Sequence, residues 1–157
     1  MPCLIDYKLK VNMNTKQIGN LTELQCITRF YELGYAVSIP YGDSEKYDFI
    51  LDINGKLYKL QCKHAKEELD VDGNVTMITI KTCWQTGYTK NNKWERHQYS
   101  EEDIDYFVTY YKGKNYLINV NECSNEKRLR ILPPKNGQIK GICFLKDYLD
   151  EEVIKDL

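Results

Sequence analysis

The sequence lacks several features that mark common protein classes. It has no apolar run long enough to cross a bilayer, and residues 1–10 lack the apolar core of a signal peptide. We therefore expect a cytoplasmic protein with no membrane partner. The six cysteines are scattered, with no Cys-x-x-Cys pair and no histidine at zinc-finger spacing. This pattern favours reduced thiols over disulfides or a zinc site.

A global excess of positive charge is also missing. The 22 lysines and arginines are balanced by 23 aspartates and glutamates, and the net charge of −1 gives no general attraction to nucleic acid. The charge is unevenly spread, because basic residues dominate from 112 to 146 while acidic residues concentrate at 67–72 and 101–105. A mixed, solvated surface would show the same unevenness.

The length and the periodicities indicate one mixed α/β domain. A chain of 157 residues suits a single domain, which we expect over 1–157 with residues 1–13 as an N-terminal extension. Helical spacing runs from Thr15 to Leu33, between an N-cap at Asn14 or Thr15 and the terminator Gly34. The predicted strands are 35–40, a hairpin at 47–63, 75–82, 104–111, 116–120 and 128–132, before a helix at 145–155. We expect a central mixed β-sheet, mainly antiparallel and flanked by helices.

The hairpin YDFILDINGKLYKLQCK, residues 47–63, carries polar residues at its open end. Its Asn54-Gly55 pair favours a two-residue type I′ turn, which places Ile53 opposite Lys56. The same register places Asp48 opposite Gln61, with Lys63 diagonal to Asp48 on the same face. A carboxylate, an amide and an ammonium group should therefore converge, although a solvated polar face would have this register too.

Glu23 is the second unusual position. A helical wheel places it in the middle of an apolar stripe that includes Cys26, Ile27, Phe30 and Tyr31. An ionised carboxylate facing a core is costly unless it is paired, hydrogen-bonded or near a metal ion. A neutral acid, or a tilted helix that lets Glu23 reach water, would also account for the pattern.

The segment 83–100 is long, polar and aromatic, and we predict a loop that contacts DNA. Its lysines and arginine can bind phosphates, its aromatic rings can pack against sugars or bases, and its asparagines can reach base edges. The predicted DNA-binding residues are Lys90, Asn91, Asn92, Lys93, Trp94 and Arg96, with Lys81 from the strand 75–82. A folded surface loop whose tryptophans complete the core is the alternative.

The order of Glu23, Asp48 and Gln61-Cys62-Lys63 resembles the PD-(D/E)XK nuclease superfamily, which has the restriction-endonuclease-like fold. Residues 14–63 look like the small bacterial endonucleases associated with group I introns, in which Gln replaces the second acid of the motif. The run IDYFVTYYKGKNYLINV is similar to the hairpin that follows in those proteins, so the resemblance extends to about Val120. Members typically start just before this helix, which makes Met13 an alternative start.

The resemblance implies a role for each motif residue. Asp48 is expected to be the principal Mg²⁺ ligand, helped by the Gln61 side-chain oxygen and the Cys62 backbone carbonyl. Glu23 is expected to act through water or to hold a second metal ion, and Lys63 to assist the nucleophile. Mn²⁺ is a possible substitute for Mg²⁺. Tyr47 stands in place of the name-giving proline, which is not a ligand, whereas Gln61 removes a negative charge and should lower metal affinity.

The expected function is Mg²⁺-dependent hydrolysis of phosphodiester bonds in double-stranded DNA by a site-specific, homing-type endonuclease. Cutting two strands of opposite polarity requires two sites, so we expect a homodimer or a homotetramer. A Holliday-junction resolvase, a restriction enzyme and a non-catalytic DNA-binding protein that keeps the fold remain alternatives. Preference for four-way junctions over linear duplex would identify a resolvase.

Overall fold

The computed structural model describes residues 12–87 and 94–157. In these residues helix α1 spans Thr15–Glu32 and helix α2 spans Asp150–Ile154. The strands are β1 (Ala36–Ser38), β2 (Phe49–Ile53), β3 (Lys56–Cys62), β4 (Lys66–Leu69), β5 (Val75–Lys81), β6 (Cys83–Thr86), β7 (Glu95–Gln98), β8 (Tyr106–Tyr111), β9 (Lys114–Asn119) and β10 (Glu126–Arg130). Short 3₁₀ helices lie at Val120–Glu122 and Leu145–Tyr148. None of the described helices is long and apolar enough to span a membrane.

Local sequence signals fix both ends of α1. The Asn14 side chain accepts a hydrogen bond from the Gln17 N–H, and the Gln17 side chain accepts one from the Asn14 N–H, both at 2.9 Å. At the other end Gly34 takes a φ of +87°, which glycine adopts without the steric cost of a Cβ. The predicted helix is confirmed to within one residue.

A five-stranded sheet forms the centre of the fold, in the order β1-β2-β3-β8-β9. Its β3–β8 pairing is parallel and its other pairings are antiparallel, so the predicted central mixed sheet is confirmed. A second, antiparallel sheet has the order β10-β5-β4, and β6 pairs with β7 alone.

The β2–β3 hairpin has the predicted register. Asn54 and Gly55 have φ angles of +55° and +83°, as a type I′ turn requires, and Ile53 pairs with Lys56. The ladder continues to the pairing of Phe49 with Leu60. Asp48 and Gln61 therefore follow at the open end, where β2 begins and β3 approaches its end.

Two cores cover opposite faces of the central sheet. On one face, Cys26 and Phe30 of α1 pack with Phe49, Leu51 and Leu60. On the other face, the second sheet contributes its buried side chains, and neighbouring residues of β8 and β9 alternate between the two cores. The members of this second core include Ile78, Ile80, Phe107, Ile118 and Leu129. The central sheet thus packs between α1 and the second sheet.

Several sequence predictions need correction. Residues 83–86 and 95–98 form a hairpin rather than a loop, and strand β4 was not predicted. The predicted helix 145–155 is divided, because Leu149 has extended backbone angles and forms a β-bridge with Tyr116. Residues 1–11 of the predicted extension lie outside the described residues, as do residues 88–93.

Candidate active site at the open end of the β2–β3 hairpin

Asp48 and Gln61 meet at the open end of the hairpin, as predicted. The Asp48 N–H donates to the Leu60 carbonyl at 2.8 Å, which extends the ladder by one residue and fixes the backbone of Asp48. The Asp48 Oδ2 then accepts hydrogen bonds from Gln61 Nε2 at 2.8 Å and from the Cys62 N–H at 2.6 Å. The carboxylate is therefore anchored through one oxygen.

Burial and hydrogen bonding act in opposite directions on the Asp48 carboxyl. Its burial is the largest effect and raises its pKa, while the Cys62 N–H, the positive charge of Lys63 and the Gln61 amide lower it. The balance leaves the pKa above its ordinary value. The folded protein thus holds a carboxylate whose negative charge is incompletely compensated.

Lys63 lies in the same cluster. Its backbone N–H donates to the Val108 carbonyl at 2.9 Å, which continues the parallel pairing of β3 with β8. Its Nζ lies 3.4 Å from the Tyr99 hydroxyl and 5.0 Å from the centre of the Tyr99 ring. Burial lowers the pKa of Lys63, and the negative charge of Asp48 opposes this effect.

Glu23 approaches the site from α1, but its place on the helix differs from the prediction. The buried face of α1 is formed by Thr22, Cys26 and Phe30, which puts Glu23 at the border of the stripe and not at its centre. At this border its side chain is half-buried. Burial, and secondly the negative charge of Asp48, raise the pKa of Glu23.

A contact between Thr22 and His64 holds α1 against the end of β3. The Thr22 Oγ1 lies 3.2 Å from Nδ1 of His64 and also donates to the Ile18 carbonyl at 2.9 Å. Partial burial lowers the pKa of His64, which favours the neutral ring. This contact fixes the part of α1 that carries Glu23 relative to Lys63.

The oxygen atoms of the site fit a hard divalent cation. Both described hydrogen bonds to the Asp48 carboxylate use Oδ2, so Oδ1 keeps its lone pairs for a ligand. The Cys62 carbonyl and the Gln61 amide oxygen supply further hard donors of the type that Mg²⁺ prefers. Gln61 directs its Nε2 at Asp48, so its amide must turn over to present its oxygen to a shared ion. In residues 12–87 and 94–157 no group of three or more His, Cys, Asp or Glu side chains is arranged to hold a metal ion.

The predicted DNA-binding residues do not all fall within the described part of the chain. Lys90, Asn91, Asn92 and Lys93 lie outside it. Lys81 is exposed at the end of β5, Arg96 is exposed in β7, and Trp94 is 55% exposed just before β7. Trp84 is stacked on His97 with ring centres 4.3 Å apart, so its ring packs between the two strands of the β6–β7 hairpin.

Tyr99 is a site residue that the sequence analysis missed. It directly follows β7, and its hydroxyl contacts Lys63. Burial, followed by the charges of Asp48 and Asp103, raises the pKa of Tyr99 to about 12, so the phenol stays protonated at neutral pH. Pairing residues 83–86 with 95–98 would have placed Tyr99 at the base of a hairpin, but the segment carries no strong turn signal.

Comparison with known proteins decides the family. The sequence matches the family model for PD-(D/E)XK endonucleases over residues 13–151. The chain belongs to the PD-(D/E)XK endonuclease family. It is therefore a nuclease, its substrate is DNA, and nucleases of this family generally use divalent metal ions.

A solved structure supports the fold of this PD-(D/E)XK endonuclease. The bacterial homing endonuclease I-Ssp6803I is 20% identical in sequence, with a TM-score of 0.71, and the match covers 92% of this chain and 95% of that chain. The fold is restriction-endonuclease-like, as predicted. No curated protein matches the sequence.

Proposed function

We propose that the protein is a cytoplasmic, Mg²⁺-dependent endonuclease that hydrolyses phosphodiester bonds at specific sites in double-stranded DNA, in the manner of a homing endonuclease. The observation that carries this proposal is the convergence of Asp48, Gln61 and Lys63 at the open end of one hairpin. Glu23 of α1 is close enough to the cluster for the negative charge of Asp48 to contribute, after burial, to its raised pKa. The fold shared with a bacterial homing endonuclease supports the homing type.

The acidic side of the site would hold the cation. Asp48 would bind through Oδ1, Gln61 through its amide oxygen, Cys62 through its backbone carbonyl and Glu23 through water. A bound Mg²⁺ supplies charge stabilisation at the phosphate and acidifies water. Mn²⁺ has the same preference for oxygen ligands and should substitute.

Lys63 would act from the other side of the site. Its ammonium group can offset charge that develops on the scissile phosphate and can orient the attacking water. Burial lowers the pKa of Lys63 and makes its proton easier to release, while the negative charge of Asp48 opposes this effect. The two oxygens of Asp48 thus have different functions. Its Oδ1 would bind the cation, while its Oδ2 accepts the hydrogen bonds from Gln61 and Cys62 that hold the carboxylate in place.

The outer face of the second sheet is the proposed surface for duplex DNA. Lys66, Thr79 and Arg128 lie side by side across its three strands, and Lys81 shares their face two residues along β5. Ile78 and Ile80 point the other way, into the core. A β-ribbon fits the major groove, and lysines on such a face contact phosphates. The residues around the β6–β7 hairpin, including Lys90, Asn91, Asn92, Lys93, Trp94 and Arg96, would add a second contact.

Cleavage of both strands calls for more than one copy of the site, and we infer a homodimer or a homotetramer on this ground. A single chain has one such cluster in its described residues, while the two strands of a duplex have opposite polarity. The molar mass from light scattering, with and without DNA, tests this inference. A monomer on cleaved duplex would contradict it.

The function itself is tested with a library of duplex targets and a synthetic four-way junction, each incubated with Mg²⁺ or EDTA. We expect cleavage of a subset of the duplexes in Mg²⁺, none in EDTA, and none by Asp48→Asn. Preferred cleavage of the junction would reassign the protein as a resolvase. Binding without cleavage of any substrate would make it a DNA-binding protein that has kept the fold.

A further inference from the structure

Tyr99 lies where the β6–β7 hairpin joins the catalytic cluster. It follows Gln98, which pairs with Cys83 at the base of the hairpin. The Tyr99 hydroxyl lies beside the Lys63 ammonium group, so the residue that directly follows the hairpin borders the lysine. Nothing in the motif of the family accounts for this tyrosine.

Tyr99 contacts the Lys63 ammonium in two ways. The Lys63 Nζ donates toward the Tyr99 Oη at 3.4 Å, and it also lies 5.0 Å from the ring centre, within the range of a cation–π interaction. The lysine side chain has a flexible four-carbon stem, so an ammonium group without such contacts samples several positions. Contacts with both the ring and the hydroxyl of Tyr99 restrict the positions of the Lys63 ammonium group.

Tyr99 is itself held firmly. Its ring packs edge-on against Phe107 of β8, with ring centres 5.3 Å apart. The next residue, Ser100, donates its N–H to the Asp103 carboxylate at 3.0 Å, and Asp103 in turn binds Lys46 at 2.7 Å. Lys46 belongs to the loop that leads into Asp48, so Tyr99 and Asp48 are tied to the same set of contacts.

We propose that Tyr99 is a positioning residue that fixes the Lys63 ammonium beside Asp48 for phosphodiester cleavage, an inference that rests on the function proposed above. Tyr99 touches the lysine and does not itself meet the reacting atoms. It acts by restricting the Lys63 ammonium group to the position from which it can assist cleavage. Catalytic groups displaced by about 1 Å commonly cost up to about 100-fold in rate, so such a role is measurable.

The first test measures the order of Lys63 without DNA or metal. Side-chain ¹⁵N relaxation of the Lys63 ammonium is compared in the wild-type protein, Tyr99→Phe and Tyr99→Leu, with Tyr31→Phe as the control. Tyr31 is 75% exposed on α1 and has no part in the site. We expect the order parameter of Lys63 to fall most in Tyr99→Leu, to fall less in Tyr99→Phe, which keeps the ring, and to stay unchanged in Tyr31→Phe.

The second test measures cleavage at saturating Mg²⁺ on a selected duplex. We expect kcat to fall about 10- to 100-fold in Tyr99→Leu, with KM nearly unchanged and partial recovery in Tyr99→Phe. A merely structural role would instead lower the folded fraction and leave the kcat of the folded enzyme intact. Thermal unfolding monitors this, and Tyr99→Phe decides the case if Tyr99→Leu does not fold.

The two readouts separate this proposal from the proposed function. An unchanged Lys63 order parameter in both Tyr99 variants overturns the positioning role, whether or not the protein cuts DNA. A lowered order parameter with unchanged kcat overturns its relevance to cleavage. If the wild-type protein cuts no substrate, the proposed function fails, while the relaxation data still decide whether Tyr99 holds Lys63.

Discussion

Glu23 and Asp48 are carboxylates whose negative charge the metal-free fold disfavours. Burial raises the pKa of both, and the charge of Asp48 adds to the effect on Glu23. A group whose pKa is raised by folding destabilises the folded state once it ionises, so this cost appears as the pH rises through the raised pKa. A cation bound between them would remove the cost, which is the electrostatic basis of the metal site.

Glu23→Gln should therefore stabilise the metal-free protein at pH 7. The gain should stay below about 1 kcal/mol, because solvent around the half-buried Glu23 side chain screens its charge. It should disappear as the pH falls below the ordinary glutamate pKa of 4.5, where the carboxyl is neutral in both states. Unfolding curves at a series of pH values measure the difference.

Magnesium should act against this gain in stability of Glu23→Gln over the wild type. Added Mg²⁺ raises the unfolding temperature of any protein that binds it only in the folded state, and we expect a smaller rise for Glu23→Gln than for wild type. Glu32→Gln, at the far end of the same helix, should respond to Mg²⁺ as wild type does. A Glu23→Gln protein less stable than wild type without metal would show that the Glu23 carboxylate is stabilised by partners in the fold.

The sequence predicted Glu23 as a site residue for an imperfect reason. The helical wheel included Tyr31, whose side chain is 75% exposed, and this shifted the apparent centre of the stripe toward Glu23. The actual face is set by Thr22, Cys26 and Phe30, whose burial depends on the sheet they meet. Periodicity predicts the buried face of a helix to within about one residue. Tertiary packing decides which residue lies at the border of that face.

At the scale of elements, the Asn54-Gly55 turn sets the register of the hairpin. Gly55 has a φ of +83°, so Gly55→Ala should cost about 1–2 kcal/mol of stability. The turn begins six residues from Asp48 along the hairpin, about 20 Å away at the usual strand rise, so kcat should change little. Denaturant unfolding and cleavage rates measure the two effects separately.

Gly19→Ala is the matched control for Gly55→Ala. Gly19 lies within α1, and an added Cβ there would meet nothing within 4 Å apart from the adjoining helix backbone, so alanine should stabilise the protein by about 0.5–1 kcal/mol. Opposite signs for the two substitutions would support backbone conformation as the cause. A Gly55→Ala protein as stable as wild type would mean that the turn does not need a positive φ at this position.

The hairpin and α1 could be predicted because their signals are local. Turn chemistry at residues 54–55 fixes every pairing as far as Asp48, and the capping residues of α1 adjoin the helix they end. The pairing of β6 with β7 spans a long intervening segment, and β4 gains its partner only when the second sheet forms. Tyr99 was missed for this reason, since its contact with Lys63 joins residues 36 apart in sequence.

At the scale of the whole molecule, the proposed DNA surface is a local set of basic residues on a chain whose net charge is only −1. The outer face of the second sheet carries Lys66 and Lys81 beside two glutamates, and no global charge excess assists these lysines. Replacing both lysines by alanine should weaken binding of all duplexes and reduce the slope of log K against log salt by about 1.8, or 0.9 for each lost phosphate contact. The triple alanine variant of Lys90, Lys93 and Arg96 should reduce it further.

A double variant of equal charge is the control for this surface. Lys56→Ala with Lys155→Ala removes two exposed lysines at the hairpin turn and the end of α2. Its salt slope should match that of wild type. Equal slopes for the two double variants would contradict the assignment of the second sheet as the DNA surface.

The most direct measurement of the central claim is the single-turnover rate of Mg²⁺-dependent duplex cleavage by Lys63→Ala, compared with Lys56→Ala at the other end of β3. If the cluster at the open end of the hairpin is the catalytic centre, loss of Lys63 should slow cleavage at least about 100-fold while Lys56→Ala cuts at the wild-type rate. Cleavage by Lys63→Ala at the wild-type rate would place the chemistry elsewhere and contradict the account.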